Sequence, residues 1–122
     1  MKSYDLVWLT HLVGDVHQPL HAVARFTKAD ASGDAGGNDV TLNCPAGLSC
    51  EKVLHSEWDH LLGDGTSFNG VKSAATSIDT GPAPSGANIS DVSVWIQESV
   101  TLAKSHVYKT ASGGRWALQR LR

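Results

Sequence analysis

The first part of the chain carries apolar residues at steps of three and four, at Leu6, Leu9, Val13 and Val16, with Trp8 and Leu12 beside them. This period predicts an amphipathic helix over residues 4–17. Pro19 disfavours helical geometry at Gln18, so the helix should end near His17. The polar segment 27–38, rich in Gly and Asp, predicts a loop.

The middle of the chain has weaker patterns. Residues 39–44, "DVTLNC", alternate and predict a short strand whose partner is undefined, so at most a short β-hairpin is expected. A short helix is predicted over residues 53–62, closed by Gly63 at its carboxyl end. Residues 68–78 have some helical character.

The last part of the chain contains the best-patterned helix. Residues 80–90, "TGPAPSGANIS", predict a linker that ends in Ser90 as a helix N-cap. A helix is predicted over residues 91–108, followed by a break at 112–114. One face of this helix is apolar and is formed by Val92, Trp95, Ile96, Val100, Ala103 and Val107. The expected fold class is mostly α with long loops.

The composition is that of an ordinary folded protein, with 41% hydrophobic and 18% charged residues among 122. This length allows one small domain over residues 1–122. The net charge of −2 gives no global basic field of the kind that attracts nucleic acid. No apolar run reaches the roughly 18 residues of a membrane span. Asp5, His11 and Asp15 interrupt the first segment, so no secretory signal is expected in this chain.

The two cysteines, Cys44 and Cys50, lie in the short segment "NCPAGLSC". Pro45 and Gly47 favour a tight loop there, which a disulfide could close in an oxidising compartment. Two reduced thiols, or two soft metal ligands, are the alternatives. The absence of a CxxC spacing and of further cysteines favours the disulfide.

Five of the six histidines lie in two short segments, "HLVGDVHQPLH" (residues 11–21) and "LHSEWDH" (residues 54–60). His11 and Asp15 are four residues apart, and His55 and Asp59 repeat that spacing, which places each pair on one helix face. His21 follows the Pro19 bend. Nitrogen and oxygen ligands without sulfur suit a zinc ion that keeps an open position for water.

A single His–Asp pair on a helix is usually a surface ion pair. Here there are two such pairs, both beside apolar residues, and a third histidine. This combination predicts a metal site instead. The other histidines differ in position: His17 points around the helix from Asp15 and suits a structural or supporting role. His60 and His106 are expected at the surface.

These two segments, together with "GGNDV" and the late-helix pattern "WIQESVTLAKSHVY", resemble the S1/P1 nuclease family. Members of this family are trinuclear zinc enzymes whose helical fold is shared with phospholipase C. The resemblance implies hydrolysis of phosphodiester bonds in single-stranded DNA and RNA, and of 3′-nucleotides. It also implies secretion or a periplasmic location.

The resemblance assigns roles to individual residues. His11 would bind the first zinc, and Asp15 would be shared between the first and third, which makes it the candidate catalytic residue. The second zinc would be held by His21, His55 and Asp59. Asn38 of "GGN" would lie near the substrate nucleotide.

The family's other zinc ligands come from an N-terminal part with no counterpart before His11. The chain is therefore expected to correspond to the C-terminal part of a family domain, with one complete zinc site and reduced activity in isolation. Two alternative functions stay open: a non-catalytic zinc-binding fragment, and a phospholipase C-like phosphoesterase. The oligomeric state is not indicated by the sequence.

Overall fold

The computed structural model describes residues 2–44, 46–47, 49–63, 65–78 and 90–108. These residues form a mostly helical structure, which confirms the predicted fold class. Its α-helices are α1 (Ser3–His17), α2 (Leu54–Asp59), α3 (Phe68–Ile78) and α4 (Val92–Leu102). Short 3-10 turns occur at Pro19–His21 and Ala35–Gly37, and α4 continues as a π-helical turn at Ala103–Val107.

The first helix ends at the predicted position. Gln18 leaves helical geometry with φ −77° and ψ 117°, and its backbone N–H still donates to the carbonyl of Asp15 at 3.1 Å. Pro19 then occupies the first position of the 3-10 turn, where its missing N–H has no partner to lose. The bend thus carries His21 back beside the last turns of α1.

A small hydrophobic core joins the segments that carry the candidate ligands. Its buried members are Leu20, Leu42, Leu54, Ala103 and Val107. Leu20 is 1% exposed and directly precedes His21, and Leu54 is 2% exposed and directly precedes His55. Burial of each leucine contributes about 2 kcal/mol. The core therefore anchors both histidine-bearing segments next to each other.

Helices α1 and α4 pack against each other and share a buried polar contact. The Ser99 hydroxyl, 1% exposed, donates to the carbonyl of Val16 at 2.7 Å. The apolar face predicted for α1 is otherwise largely uncovered in the described part of the chain: Leu6 is 55% exposed and Leu9 49%. The periodicity located this helix, but the described residues do not cover its apolar side.

Several predicted details differ from the structure. In place of the strand predicted at 39–44, the structure has one isolated antiparallel bridge, between Thr41 and Val53. The described residues contain no β-strand beyond this bridge. The second helix is shorter than predicted, because His60 leaves helical geometry at φ −99° and ψ 13°. Gly63 instead ends the following turn, with φ +97° and its N–H on the carbonyl of His60.

The last helix starts one residue later than predicted, at Val92. Its N-cap is Asp91 rather than Ser90, since the Asp91 carboxylate accepts from the N–H of Ser93 at 2.8 Å. Of the predicted apolar face, Ala103 and Val107 are buried, Trp95 and Val100 are half-buried, and Val92 and Ile96 are exposed. Residues 80–89 of the linker predicted over 80–90, and the break predicted at 112–114, lie outside the described residues.

The cysteine prediction is confirmed. Cys44 and Cys50 form a disulfide, with their Cα atoms 5.8 Å apart. None of the helices that the structure describes is long and apolar enough to cross a bilayer.

Candidate metal centre

The first candidate pair lies on α1. The Nε2 atom of His11 is 3.3 Å from Oδ2 of Asp15, as the four-residue spacing predicts for neighbours on one helix face. Both side chains are exposed or half-exposed, so the pair is open to solvent and to a ligand.

A second group forms where the 3-10 turn meets α2. The Nε2 atom of His21 is 3.4 Å from Oδ1 of Asp59, and the Nε2 atom of His55 is 3.5 Å from Oδ2 of the same carboxylate. The two imidazole rings stack with their centroids 5.0 Å apart. Ligand atoms of all three residues lie within 4.8 Å of one another.

The nitrogen–oxygen separations at Asp59 are close to those between two ligands of a zinc ion. Zinc binds imidazole nitrogen and carboxylate oxygen at about 2.1 Å, so two ligands of a tetrahedral ion lie about 3.4 Å apart. His21 Nε2 is 3.4 Å from Oδ1 of Asp59 and His55 Nε2 is 3.5 Å from Oδ2, so each imidazole lies about that distance from its own oxygen of the carboxylate. Among the described residues, this group of three coincides with the set that the family resemblance assigns to the second zinc.

Asp15 connects the two groups. Its Oδ2 faces His11, while its Oδ1 is 3.7 Å from Nδ1 of His21. The structure therefore brings all five predicted ligands into one continuous series at the protein surface, in the order His11, Asp15, His21, Asp59 and His55.

The orientation of His55 is set by the loop that contains the "GGN" motif. The Nδ1 atom of His55 lies 2.9 Å from the carbonyl oxygen of Gly36. A carbonyl only accepts, so Nδ1 is the donor in this contact, and Nε2 is the nitrogen that faces Asp59. A metal-binding histidine is commonly oriented by a hydrogen bond of this kind from the ring nitrogen that does not bind the metal.

The loop can make this contact because its backbone adopts left-handed geometry. Gly36 has φ +65° and Gly37 has φ +83°, and the non-glycine Ala35 has φ +49°. A Cβ atom on Gly36 would lie 2.6 Å from the carbonyl oxygen of Leu20. Glycine at this position therefore permits the close approach that places its carbonyl on His55.

The buried residue Asp34 holds this loop in place. Its Oδ1 accepts from the backbone N–H of Arg25 at 2.8 Å and from the hydroxyl of Tyr108 at 3.2 Å. Burial, followed by the hydrogen bond to Asp34, raises the pKa of Tyr108 well above its usual value. The sequence analysis did not predict this cluster, because Asp34 lies in a polar segment that resembles a solvated loop.

The other predicted residues are placed as follows. Asn38 is exposed on the same loop, and its side-chain amide donates to the carbonyl of Ala35 at 2.9 Å. His17 packs its ring against Trp95, with centroids 5.0 Å apart, which fits the structural role predicted for it. His60 and His106 are exposed, as predicted.

Gln18 is a contact of the centre that the sequence interpretation missed. Its Nε2 donates to Oδ1 of Asp59 at 2.8 Å, across 41 positions of sequence. Its place inside "HLVGDVHQPLH", between a histidine and a proline, was the available signal. Glutamine is neither a usual zinc ligand nor titratable, so ligand chemistry alone did not single it out.

Comparisons with known proteins agree with the motifs. The S1/P1 nuclease family model matches residues 1–120. Endonuclease 5 and Endonuclease 4 of Arabidopsis thaliana are similar to this chain, at 39% identity over 59 residues and 35% over 57. The aligned segments cover 48% and 47% of this chain, but only 17% and 16% of those relatives. No solved structure matches. With the family model covering nearly all of its length, the chain belongs to the S1/P1 nuclease family.

Proposed function

We propose that this chain acts in zinc-dependent hydrolysis of phosphodiester bonds in single-stranded DNA and RNA, and of 3′-nucleotides. The observation that carries the proposal is the convergence of His21, His55 and Asp59 beside the His11–Asp15 pair. Family membership and the endonuclease names of the two relatives favour a nuclease over a phospholipase C-like phosphoesterase.

The chemistry of the donor set supports zinc as the cofactor. His21, His55 and Asp59 would hold one ion, and His11 with Asp15 would contribute to a neighbouring ion. Zinc bound there supplies Lewis acidity, which activates water near neutral pH and neutralises phosphate charge. The carboxylates of Asp15 and Asp59, both close to His21, add negative charge that a cation would compensate.

The chain's own residues would divide the remaining work. The Gly36 carbonyl keeps the proton of His55 on Nδ1, so that Nε2 is free to bind. Asp15 is proposed as the ligand shared between the first and third zinc ions and as the catalytic residue. The exposed Asn38 amide, on the loop that holds His55, is proposed to contact the substrate nucleotide.

The disulfide favours an oxidising compartment, since such bonds are rare in the reducing cytosol. We therefore propose that the protein is secreted or periplasmic. Detection of the oxidised protein in a secreted or periplasmic fraction supports this location. Recovery only from the cytosol, with both thiols free, contradicts it.

Zinc binding is tested by metal analysis of the purified chain after exhaustive dialysis. The proposal expects about one tightly held zinc per chain, because three protein ligands are typical of a stable open site. His21→Ala should remove that zinc, whereas the matched change at the surface, His106→Ala, should retain it. A folded chain with no bound zinc would refute the metal site.

Catalysis is tested on single-stranded DNA with added zinc. We propose that residues 1–122 are part of a larger family domain, because His11 and Asp15 are only two protein ligands for the first zinc. Two ligands hold zinc weakly, so the isolated chain should turn over several orders of magnitude more slowly than a full-length relative.

Supplying the remaining part of a family domain in trans should restore turnover, and Asp15→Asn should abolish the rescue. Rapid turnover by the isolated chain would contradict the incomplete first site. Zinc binding without rescue would favour the alternative of a non-catalytic zinc-binding fragment. Cleavage of phospholipid but not of DNA would favour the phospholipase-like alternative.

A further inference from the structure

We infer that Gln18 is a positioning residue of the metal centre, which links the turn that carries His21 to the carboxylate of Asp59 and fixes the orientation of that carboxylate. The inference rests on the proposed zinc site and adds a residue that binds neither metal nor substrate.

The hydrogen bonds of Gln18 determine which way its amide points. Its Oε1 accepts from the backbone N–H of Leu20, and its Nε2 donates to Oδ1 of Asp59 at 2.8 Å. Leu20 offers a donor and the carboxylate offers only acceptors. The reversed amide would therefore lose both hydrogen bonds, and one orientation alone satisfies the two partners.

The backbone on both sides holds Gln18 in place for this task. Its N–H donates to the carbonyl of Asp15, and it caps the carboxyl end of α1. On the other side, Pro19 restricts Gln18 to the extended geometry that is observed. The buried Leu20 then fixes the start of the turn. The side chain of Gln18 thus projects from a rigid bend, so it loses little conformational entropy when it binds Asp59.

Asp59 needs such a partner. It is the last residue of α2, a helix of six residues, and its side chain is 39% exposed. The terminal torsion of an aspartate is broad, so the carboxylate of an exposed residue rotates readily. The amide of Gln18 holds Oδ1 on the side of His21, which directs Oδ2 toward His55. The neutral side chain of Gln18 thereby orients the Asp59 carboxylate, which faces both imidazoles.

The test measures zinc affinity by competition with a chromophoric chelator, using the full chain. Gln18→Met keeps the length of the side chain and removes both hydrogen bonds. Loss of an outer contact to a metal ligand typically weakens metal binding about 10–100-fold, and we expect a decrease in that range. The matched control is Gln97→Met, an exposed glutamine on α4, which should bind zinc like the original chain.

A double-mutant cycle separates positioning from general damage. If Gln18 acts through Asp59, then Gln18→Met should weaken zinc binding less than about threefold in a chain that already carries Asp59→Ala, which removes the acceptor of the Gln18 hydrogen bond. A purely structural defect would instead lower zinc affinity by the same factor in the chain that carries the Asp59 substitution. The visible spectrum of the Co²⁺-loaded chain should also change with Gln18→Met, because the carboxylate is no longer held in one orientation.

If Gln18→Met does not fold, Gln18→Asn replaces it, since Asn keeps the amide but is one methylene too short to reach both partners. Unchanged zinc affinity and an unchanged Co²⁺ spectrum in a folded Gln18 variant overturn the inference and leave the zinc site intact. An equal loss of affinity with and without Asp59→Ala also overturns it. Absence of zinc binding in the original chain refutes the proposed site itself, and this inference with it.

Discussion

Replacement of Gly36 by alanine tests whether the left-handed loop at residues 35–37 orients His55. Gly36→Ala adds a Cβ atom at φ +65°, 2.6 Å from the carbonyl oxygen of Leu20. The matched control is Gly47→Ala, because Gly47 also has a positive φ, +84°, but a Cβ there meets nothing within 4 Å. The two variants share the cost of left-handed geometry and differ in the clash.

The expected difference follows from the geometry. Ordinary contact begins at 3.4 Å, so Gly36 and Leu20 would have to separate by about 0.8 Å. Leu20 is 1% exposed and cannot move outward, so the loop must shift instead. A shift of that size takes the 2.9 Å contact between Gly36 and His55 beyond hydrogen-bond range.

Both variants should lose about 1–2 kcal/mol from the left-handed geometry of a residue with a side chain. Gly36→Ala should lose a further 2–4 kcal/mol, roughly 1 from the hydrogen bond and 1–3 from forced overpacking. Urea unfolding measures this difference in the free energy of unfolding. Zinc competition should also show weaker binding for Gly36→Ala alone, since the orientation of His55 is released.

Equal stability of the two variants would show that the backbone contact with Leu20 is not tight. A lower free energy of unfolding for Gly36→Ala, together with unchanged zinc affinity, would show instead that the carbonyl of Gly36 does not orient His55. Either result would refute the corresponding step of the reasoning.

Other contacts make separate predictions. The raised pKa of Tyr108 in the folded chain means that its contribution to stability is complete below about pH 10, the ordinary tyrosine pKa, and is lost as the pH rises above it; Tyr108→Phe should flatten that alkaline decline in thermal melts. Ser99→Ala should lower the free energy of unfolding by about 1–3 kcal/mol, because the carbonyl of Val16 loses a buried donor; an unchanged unfolding curve would contradict this. Reduction of the Cys44–Cys50 disulfide should cost about 2 kcal/mol by loop entropy, to be measured by unfolding with and without reductant. An equal midpoint in both conditions would count against that value.

Local sequence determined the helices and the identity of the candidate ligands. The spacing of apolar residues located α1, and Pro19 set its end, because both effects act within a few residues of chain. The four-residue spacing likewise placed His11 beside Asp15, and His55 beside Asp59, since helix geometry alone brings such pairs together.

Tertiary structure decided how these pairs combine. His21 and Asp59 are far apart in sequence, and they meet because Leu20 and Leu54 are buried in one core. Asp34 looked like a loop residue, yet it is buried and accepts a hydrogen bond from Tyr108, 74 positions away in sequence. The side-chain amide of Gln18 finds Asp59 41 positions away. Period and spacing report only neighbours along the chain, whereas burial and long-range hydrogen bonds depend on which segments pack together.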